Sequence, residues 1–415
     1  MTATRKILSL VLALALILSV WSVAALAQTT IRVIGWGNSE ALLDGWFANW
    51  DNSDIVVETS EIPTWGNAYY ERLTLMLATS PNPPDIFIVE PEAALTTFNN
   101  NLAMDLSIFI EREGWEDAFH LVDTWKGNIV GIPQQIYARP MSYNRDRMLE
   151  IGVTPPLDLF MNGEWDQETE MDYRRLLHQR GPDGLLVEAA EGARHVRETY
   201  IHLPYMYAFG VTPANEAGNE LYLDTPEAIE VFEWFRHQTA TDALPFRFNT
   251  PNRGDLWPKR VFNCQVNLNV TGGNDFPCDI VPNASGPAGR VTPMTMQPWL
   301  MSSKTEDPHT AWEVYKHLIV ESNRAQTING RQPPTIKSMT PAFFDLQDSF
   351  NTPHTEAVWA ETLDTMVMRT RLHANLELRG ILWPAVTSIL DGSVAATPAM
   401  QEATRQANAI LAEFR

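Results

Sequence analysis

Aromatic rings and polar forks recur together where this chain leaves its predicted strands. Trp36 follows the β-branched run Ile31-Arg32-Val33-Ile34, with Asn38 and Ser39 just beyond it, and Ser39 is expected to cap a helix running to about Trp50. Trp65 stands after a second extended run at 54–59, behind Pro63. Glu90 and Glu92 follow the apolar run at 85–89, and Gln134, Gln135 and Tyr137 lie in a segment interrupted by Pro133 and Pro140. Asn274 and Asp275 adjoin the pair Gly272-Gly273, Trp299 falls near the end of an extended stretch at 294–301, and Arg331 lies beyond a helix predicted at 308–320. An indole can cover the apolar face of a small ligand while amides, carboxylates and a guanidinium satisfy the donors and acceptors at its edge. Such a set holds a ligand without transforming it. In open α/β sheets these groups collect beyond the strand carboxyl ends, and Trp36, Glu90 and Trp299 rank first among the candidates. Each also has a plainer role as a packing ring, a plug at a helix start or a solvated loop residue.

Motifs for covalent or metal chemistry are absent from the sequence. There is no G-x-S-x-G, no H-E-x-x-H and no P-loop. Gly35-x-Gly37 after a strand resembles a dinucleotide turn, but Glu40 occupies the third glycine's place and Trp36 crowds the phosphate path. Tyr69-Tyr70 resembles an iron-ligating pair, yet its helical spacing points to core packing. The nine His are scattered, so neither a metal, a cofactor nor a catalytic residue is assigned. Fifty-one acidic residues guarantee many carboxylate pairs, and no glycosidase pair can be read from them.

The chain of 415 residues is long for one core and comfortable for two lobes. Arg5 and Lys6 precede an apolar run at 7–26 that ends in Ala25-Leu26-Ala27, the small-residue pattern of a signal-peptidase site. Residues 1–27 are expected to be an export signal cleaved before Gln28, the alternative being an uncleaved anchor. The location expected is periplasmic or extracellular. With Arg5 and Lys6 removed, 28 basic residues face 51 acidic ones, a net charge of −23 that repels nucleic acid. Cys264 and Cys278 are the only cysteines. In an oxidising compartment a bridge between them would close a short loop worth about 3 kcal/mol, the alternative being two buried thiols.

Strand, helix and strand alternate from 31 to 89, which predicts right-handed crossovers and a mostly parallel sheet. Two extended segments are predicted within 129–143, then a second α/β region with helices at 167–179, 196–209 and 226–241 and strands at 262–268 and 279–282. Helices at 308–320, 356–368, 376–390 and 398–414 complete the chain. These crossings predict an N-terminal lobe of 28–140 and 294–335 and a C-terminal lobe of 141–293 and 336–415, joined by a hinge.

Several segments resemble, in order, the extracellular solute-binding proteins of family 1, the carbohydrate-type receptors of ABC importers. Residues 70–87 are similar to that family's Y-x-x-x-L…LA…PD[IV] block, and LAMDLSIFI at 102–110 to its L-x-x-L-x-x-[FY] segment. GNIVGIPQQIYARPMSYNRDRMLEIGVTPP at 127–156 resembles G-x-x-Y-G-[IV]-P…YN-[KR]-D…G-[IV]-x-x-P-P. Trp165-Asp166-Gln167, Trp299 to Ser302, Ala311-Trp312 and Gly330 to Pro333 follow. Two positions depart: Gln134 stands where an aromatic is usual, and the G-x-W loop becomes Gly272-Gly273-Asn274-Asp275 without a Trp. The resemblance implies a two-lobed α/β periplasmic-binding-protein fold, type II-like, with mostly parallel sheets flanked by helices. It further implies a monomer that takes a small molecule, a sugar foremost, between its lobes and passes it to the transmembrane subunits of an ABC permease. The alternatives are an exported glycan-active enzyme and a ligand receptor for a membrane sensor.

Overall fold

Residues 28–138, 140–183, 186–188, 206–241, 262–263, 278–329, 332–347, 354–368 and 370–414 are described by a computed structural model. The expected export signal lies outside them. So do Cys264, Asn274, Asp275, Arg331, most of the helix expected at 196–209 and the end of the strand expected at 262–268. The side chains of Glu92 and Cys278 are likewise outside, and the bridge with them.

In chain order the elements are β1 (Thr29–Trp36), α1 (Glu40–Phe47), β2 (Ile55–Ile62), α2 (Asn67–Thr79), β3 (Ile86–Ile88), α3 (Pro91–Asn99), α4 (Ser107–Glu113), β4 (Asp123–Trp125) and β5 (Asn128–Ala138). Then come β6 (Met141–Asn144), α5 (Arg145–Glu150), α6 (Pro156–Met161), α7 (Gln167–Leu177), β7 (Gln179–Arg180), β8 (Leu186–Glu188), α8 (Pro226–Ala240), β9 (Phe262–Asn263) and β10 (Cys278–Val281). The last third holds β11 (Ser285–Gly286), β12 (Gly289–Arg290), β13 (Thr292–Met301), α9 (Pro308–Asn329), α10 (Thr340–Gln347), α11 (Thr355–Asp364), β14 (Met366–Met368), α12 (Asn375–Leu390) and α13 (Ala396–Leu411). Among the described residues no helix is long and apolar enough to cross a membrane.

The chain divides into two compact units, Met1–Ile88 with Met301–Leu318, and Val89–Leu300 with Ile319–Arg415. In the first, β1 pairs in parallel with both β2 and β3, and α1 and α2 supply the crossovers. Ile31, Val33 and Ile34 of β1 and all of β3 are buried, as a covered parallel sheet requires. Tyr69, Leu73 and Leu77 repeat every fourth residue along α2 and form its buried stripe.

In the second unit β5 lies antiparallel to both β4 and β13, while β14 joins β13 in parallel. A separate antiparallel trio of β10, β6 and β9 packs under Trp165, Phe343 and Trp359. A helical layer of α8, α12 and α13 buries Phe232, Phe235, Leu378, Ile389, Met400 and Leu411. Along α13 the buried positions 396, 400, 403, 407 and 411 recur at helical spacing.

Three local expectations are corrected. Pro133 does not interrupt the 129–143 segment; β5 runs through it, because the ladder is already broken there and no N–H is needed. The helix expected at 356–368 stops at Asp364, and Met-Val-Met turns extended to pair with β13. Ser39 sits at the N-cap of α1, but its side chain makes no cap bond.

Candidate ligand-binding site

The register of β1 with β2, Gly35 opposite Glu61 and Trp36 opposite Ile62, brings the loops beyond both strands side by side. Gly37 N–H donates to Thr64 O at 3.2 Å. A Cβ on Gly37 would stand 3.0 Å from Trp65 Nε1 and 3.2 Å from Thr64 N, so only glycine lets the loops meet without displacement. Asn38 takes the left-handed conformation, φ 65°, that asparagine tolerates. The cap that Ser39 was expected to provide comes from Glu61. One of its carboxylate oxygens accepts from Ser39 N–H at 2.7 Å and from Glu40 N–H at 3.1 Å. A negative group on orphan N–H donors at a helix start is favourable on both hydrogen-bonding and dipole grounds.

These loops place Trp36 and Trp65 together, ring centroids 5.5 Å apart and tilted by 35°. The two rings differ in exposure: Trp36 is 8% exposed and Trp65 is 56% exposed. Tyr69 meets Trp36 edge-on at 5.8 Å and donates its hydroxyl to Ile88 O at 2.7 Å. Burial pushes the Tyr69 phenol well above its ordinary range, so it stays protonated and acts as packing. Trp36 is therefore a base and Trp65 the ring turned toward solvent. An exposed indole resting on a buried one is a stacking platform already fixed in orientation.

A second polar group lies on β5 and β13. Met296 faces Ile136 and Pro298 faces Pro133, so Gln134 and Gln135 together oppose the single residue Gln297. This is a β-bulge, which re-aims side chains locally. Gln297 Oε1 accepts from Tyr137 OH at 2.6 Å and from Gln134 Nε2 at 3.4 Å. Gln134 is 8% exposed and its Oε1 is buried without a hydrogen-bond partner.

Of the sequence candidates, Trp36, Asn38, Ser39 and Trp65 form one group and Gln134 and Tyr137 another. Trp299 is 1% exposed, opposite Ile132 in the ladder, and lies within the core. Glu90 is exposed at the N-cap of α3, where its carbonyl accepts from Ala94 N–H at 2.9 Å. Two residues went unread in the sequence: Glu61, whose role depends on strand register, and Gln297. For Gln297 the Gln-Pro pair inside a strand was the available signal, because proline within a sheet marks an edge or a bulge.

Carboxylates elsewhere serve architecture. Arg145 bridges Asp158 at 2.9 Å and Asp279 at 3.3 Å, and Tyr143 OH donates to Asp279 at 3.2 Å. Burial pushes the Asp279 carboxyl up, against the opposing pull of Arg145. No group of three or more His, Cys, Asp or Glu side chains that could hold a metal occurs among the described residues.

Together these elements make the two-lobed α/β fold of the periplasmic binding proteins. The ABC substrate-binding protein Lmo0181 of Listeria monocytogenes, solved with cycloalternan, matches with a TM-score of 0.73 at 16% identity over 93% of this chain and 99% of its own. The sugar-binding protein MalE of Xanthomonas citri gives 0.71 at 14% identity, over 93% and 98%. An ABC transporter solute-binding protein of Agrobacterium radiobacter K84, solved with ribitol, gives 0.66 at 16%, over 93% and 99%. No family model and no curated relative matches the chain.

Proposed function

We propose that this chain is the substrate-binding component of an ABC importer and that it captures a small hydroxyl-rich solute, a sugar, an oligosaccharide or a polyol. The observation that carries the reading is the half-exposed Trp65 ring seated on buried Trp36 beyond the carboxyl ends of a parallel sheet. The ligands of the Listeria and Agrobacterium proteins, cycloalternan and ribitol, support that chemistry. In this reading the lobes, 28–140 with 294–335 and 141–293 with 336–415, close on the solute, and the closed form is what the transmembrane subunits of the permease recognise. The protein acts as an exported monomer, with residues 1–27 removed as a signal. It releases its ligand unaltered and has no catalytic residues.

Affinity is expected to be micromolar or tighter, about −8 kcal/mol. A thermal-shift screen against neutral sugars, oligosaccharides and polyols tests the reading, because a ligand that binds only the folded chain raises its melting temperature. The expected result is a rise with at least one compound, which chromatography then recovers chemically unchanged. A flat screen, or steady conversion of the bound compound, would overturn it.

A further inference from the structure

We propose that Gln28 is a modification site: once residues 1–27 are removed, its freed α-amine closes onto its own side-chain amide and leaves a pyroglutamyl end at the head of β1. The inference rests on the proposed cleavage after Ala25-Leu26-Ala27 and adds the chemical fate of the new terminus.

Both reacting groups belong to one residue, and the fold leaves both within reach. Regular pairing begins one residue later, at Thr29 opposite Ile55, with Thr29 N–H donating to Asp54 O at 3.1 Å. Gln28 lies outside that ladder and is exposed, and its backbone N makes no hydrogen bond among the described residues. Its side chain is tied down once, where Nε2 donates to Ser53 O at 2.7 Å. Ser53 is exposed as well, so water competes for that bond and its net worth is small. Breaking it slows ring closure by about tenfold at most.

The step is self-contained. α-Amines ordinarily titrate at about 8, so a share is unprotonated and nucleophilic at neutral pH. The nitrogen lone pair attacks Gln28 Cδ and forms the N–Cδ bond of a lactam. The Cδ–Nε2 bond breaks, and Nε2 leaves as ammonia with the proton that the α-nitrogen gives up. No oxidant, reductant or cofactor enters. Holding amine and amide in one residue supplies the high effective concentration of an intramolecular reaction. The lactam carries no charge and removes the free amine that an aminopeptidase requires. It therefore seals the open end of β1, the strand that leads to Trp36.

Mass spectrometry of the intact chain and of its N-terminal peptide supplies the test, on full-length protein exported by a bacterial host and recovered outside the cytoplasm. We expect a chain that begins at Gln28 and is lighter by one ammonia, with the loss confined to the N-terminal peptide. Closure should advance as freshly purified chain is incubated at neutral pH. It should run no more than about tenfold faster in urea, where the bond to Ser53 is gone. Gln28→Ala, which has no amide to close, should keep its full mass and lose residue 28 to an aminopeptidase that leaves the wild type intact. A wild type that keeps an open Gln28 after prolonged incubation, closes only when unfolded, or is trimmed as fast as Gln28→Ala overturns the inference and leaves the export and receptor readings standing. A chain that retains residues 1–27, or is cut at another bond, overturns the cleavage reading and the inference with it.

Discussion

Stacking on an indole requires a ring that is reachable and yet held still. Trp65 meets both conditions because its exposed face is supported from behind by Trp36, which Tyr69 fixes edge-on. Trp65→Ala is expected to weaken ligand binding by about 1–3 kcal/mol, the scale of one aromatic contact, while changing stability little. Trp36→Ala removes a core ring and should cost about 3–5 kcal/mol of stability together with the binding. Calorimetry paired with denaturant unfolding separates the two, and a Trp36→Ala protein of normal stability but no affinity would reverse the roles of the two rings. Both rings were legible in the sequence as candidates, since each follows a strand. Their different burial was not, because it depends on how two loops distant in sequence pack. Trp299 teaches the same lesson in reverse: its place near the end of a predicted strand was right, and its side chain points into the core.

At the scale of elements, a loop pair has to be held in register if its rings are to stay stacked. Glu61 does this from β2 by capping α1 in place of a local residue, and Gly37 does it by having no side chain. Glu61→Ala should cost about 0.5–2 kcal/mol, the range for a lost cap, and should also lower ligand affinity by freeing the loop that follows Trp36. Glu61→Gln keeps an acceptor oxygen and should restore most of both. If calorimetry finds the alanine variant binding as tightly as wild type, Glu61 caps a helix and nothing more. The motif that made the family resemblance legible, Tyr143-Asn144-Arg145-Asp146, is largely architectural. Asn144 caps α5 through Arg147 N–H at 3.0 Å, and Arg145 ties α5 to α6 and β10. Asp166 caps α7 in the same way through Thr169 N–H at 2.9 Å. Sequence patterns of this kind record how elements join, so the fold was readable from them. The bulge at Gln134 and Gln135 and the cap from Glu61 come from inter-strand register, which no local pattern spells out.

Across the whole molecule, pH acts through groups whose burial is fixed only in the folded chain. Burial holds His120 below its ordinary pKa, aided by the charge of Lys337, with Nε2 2.7 Å from Thr340 Oγ1. Burial likewise depresses His373, as does Lys126, against a hydrogen bond to Ala217; its ring stacks on Phe414 at 4.8 Å. The folded state therefore disfavours protonating both, while the unfolded chain takes up protons near the ordinary value of about 6.5. As pH falls through that value the unfolded state binds more protons than the native one, and stability drops. The loss levels off only below the folded-state pKa values. Asp279 has the opposite sign, since burial raises its pKa and favours its neutral form as pH falls. Carboxylates ordinarily titrate near about pH 4, so easing of the chain's self-repulsion, net charge −21, by their protonation belongs to lower pH. The melting temperature should therefore decline between about pH 7 and pH 5 before the carboxylates matter. The double variant His120→Gln, His373→Gln should flatten that decline without changing the acid limb below it. An unaltered slope in that variant would mean that other groups carry the linkage between pH 7 and pH 5.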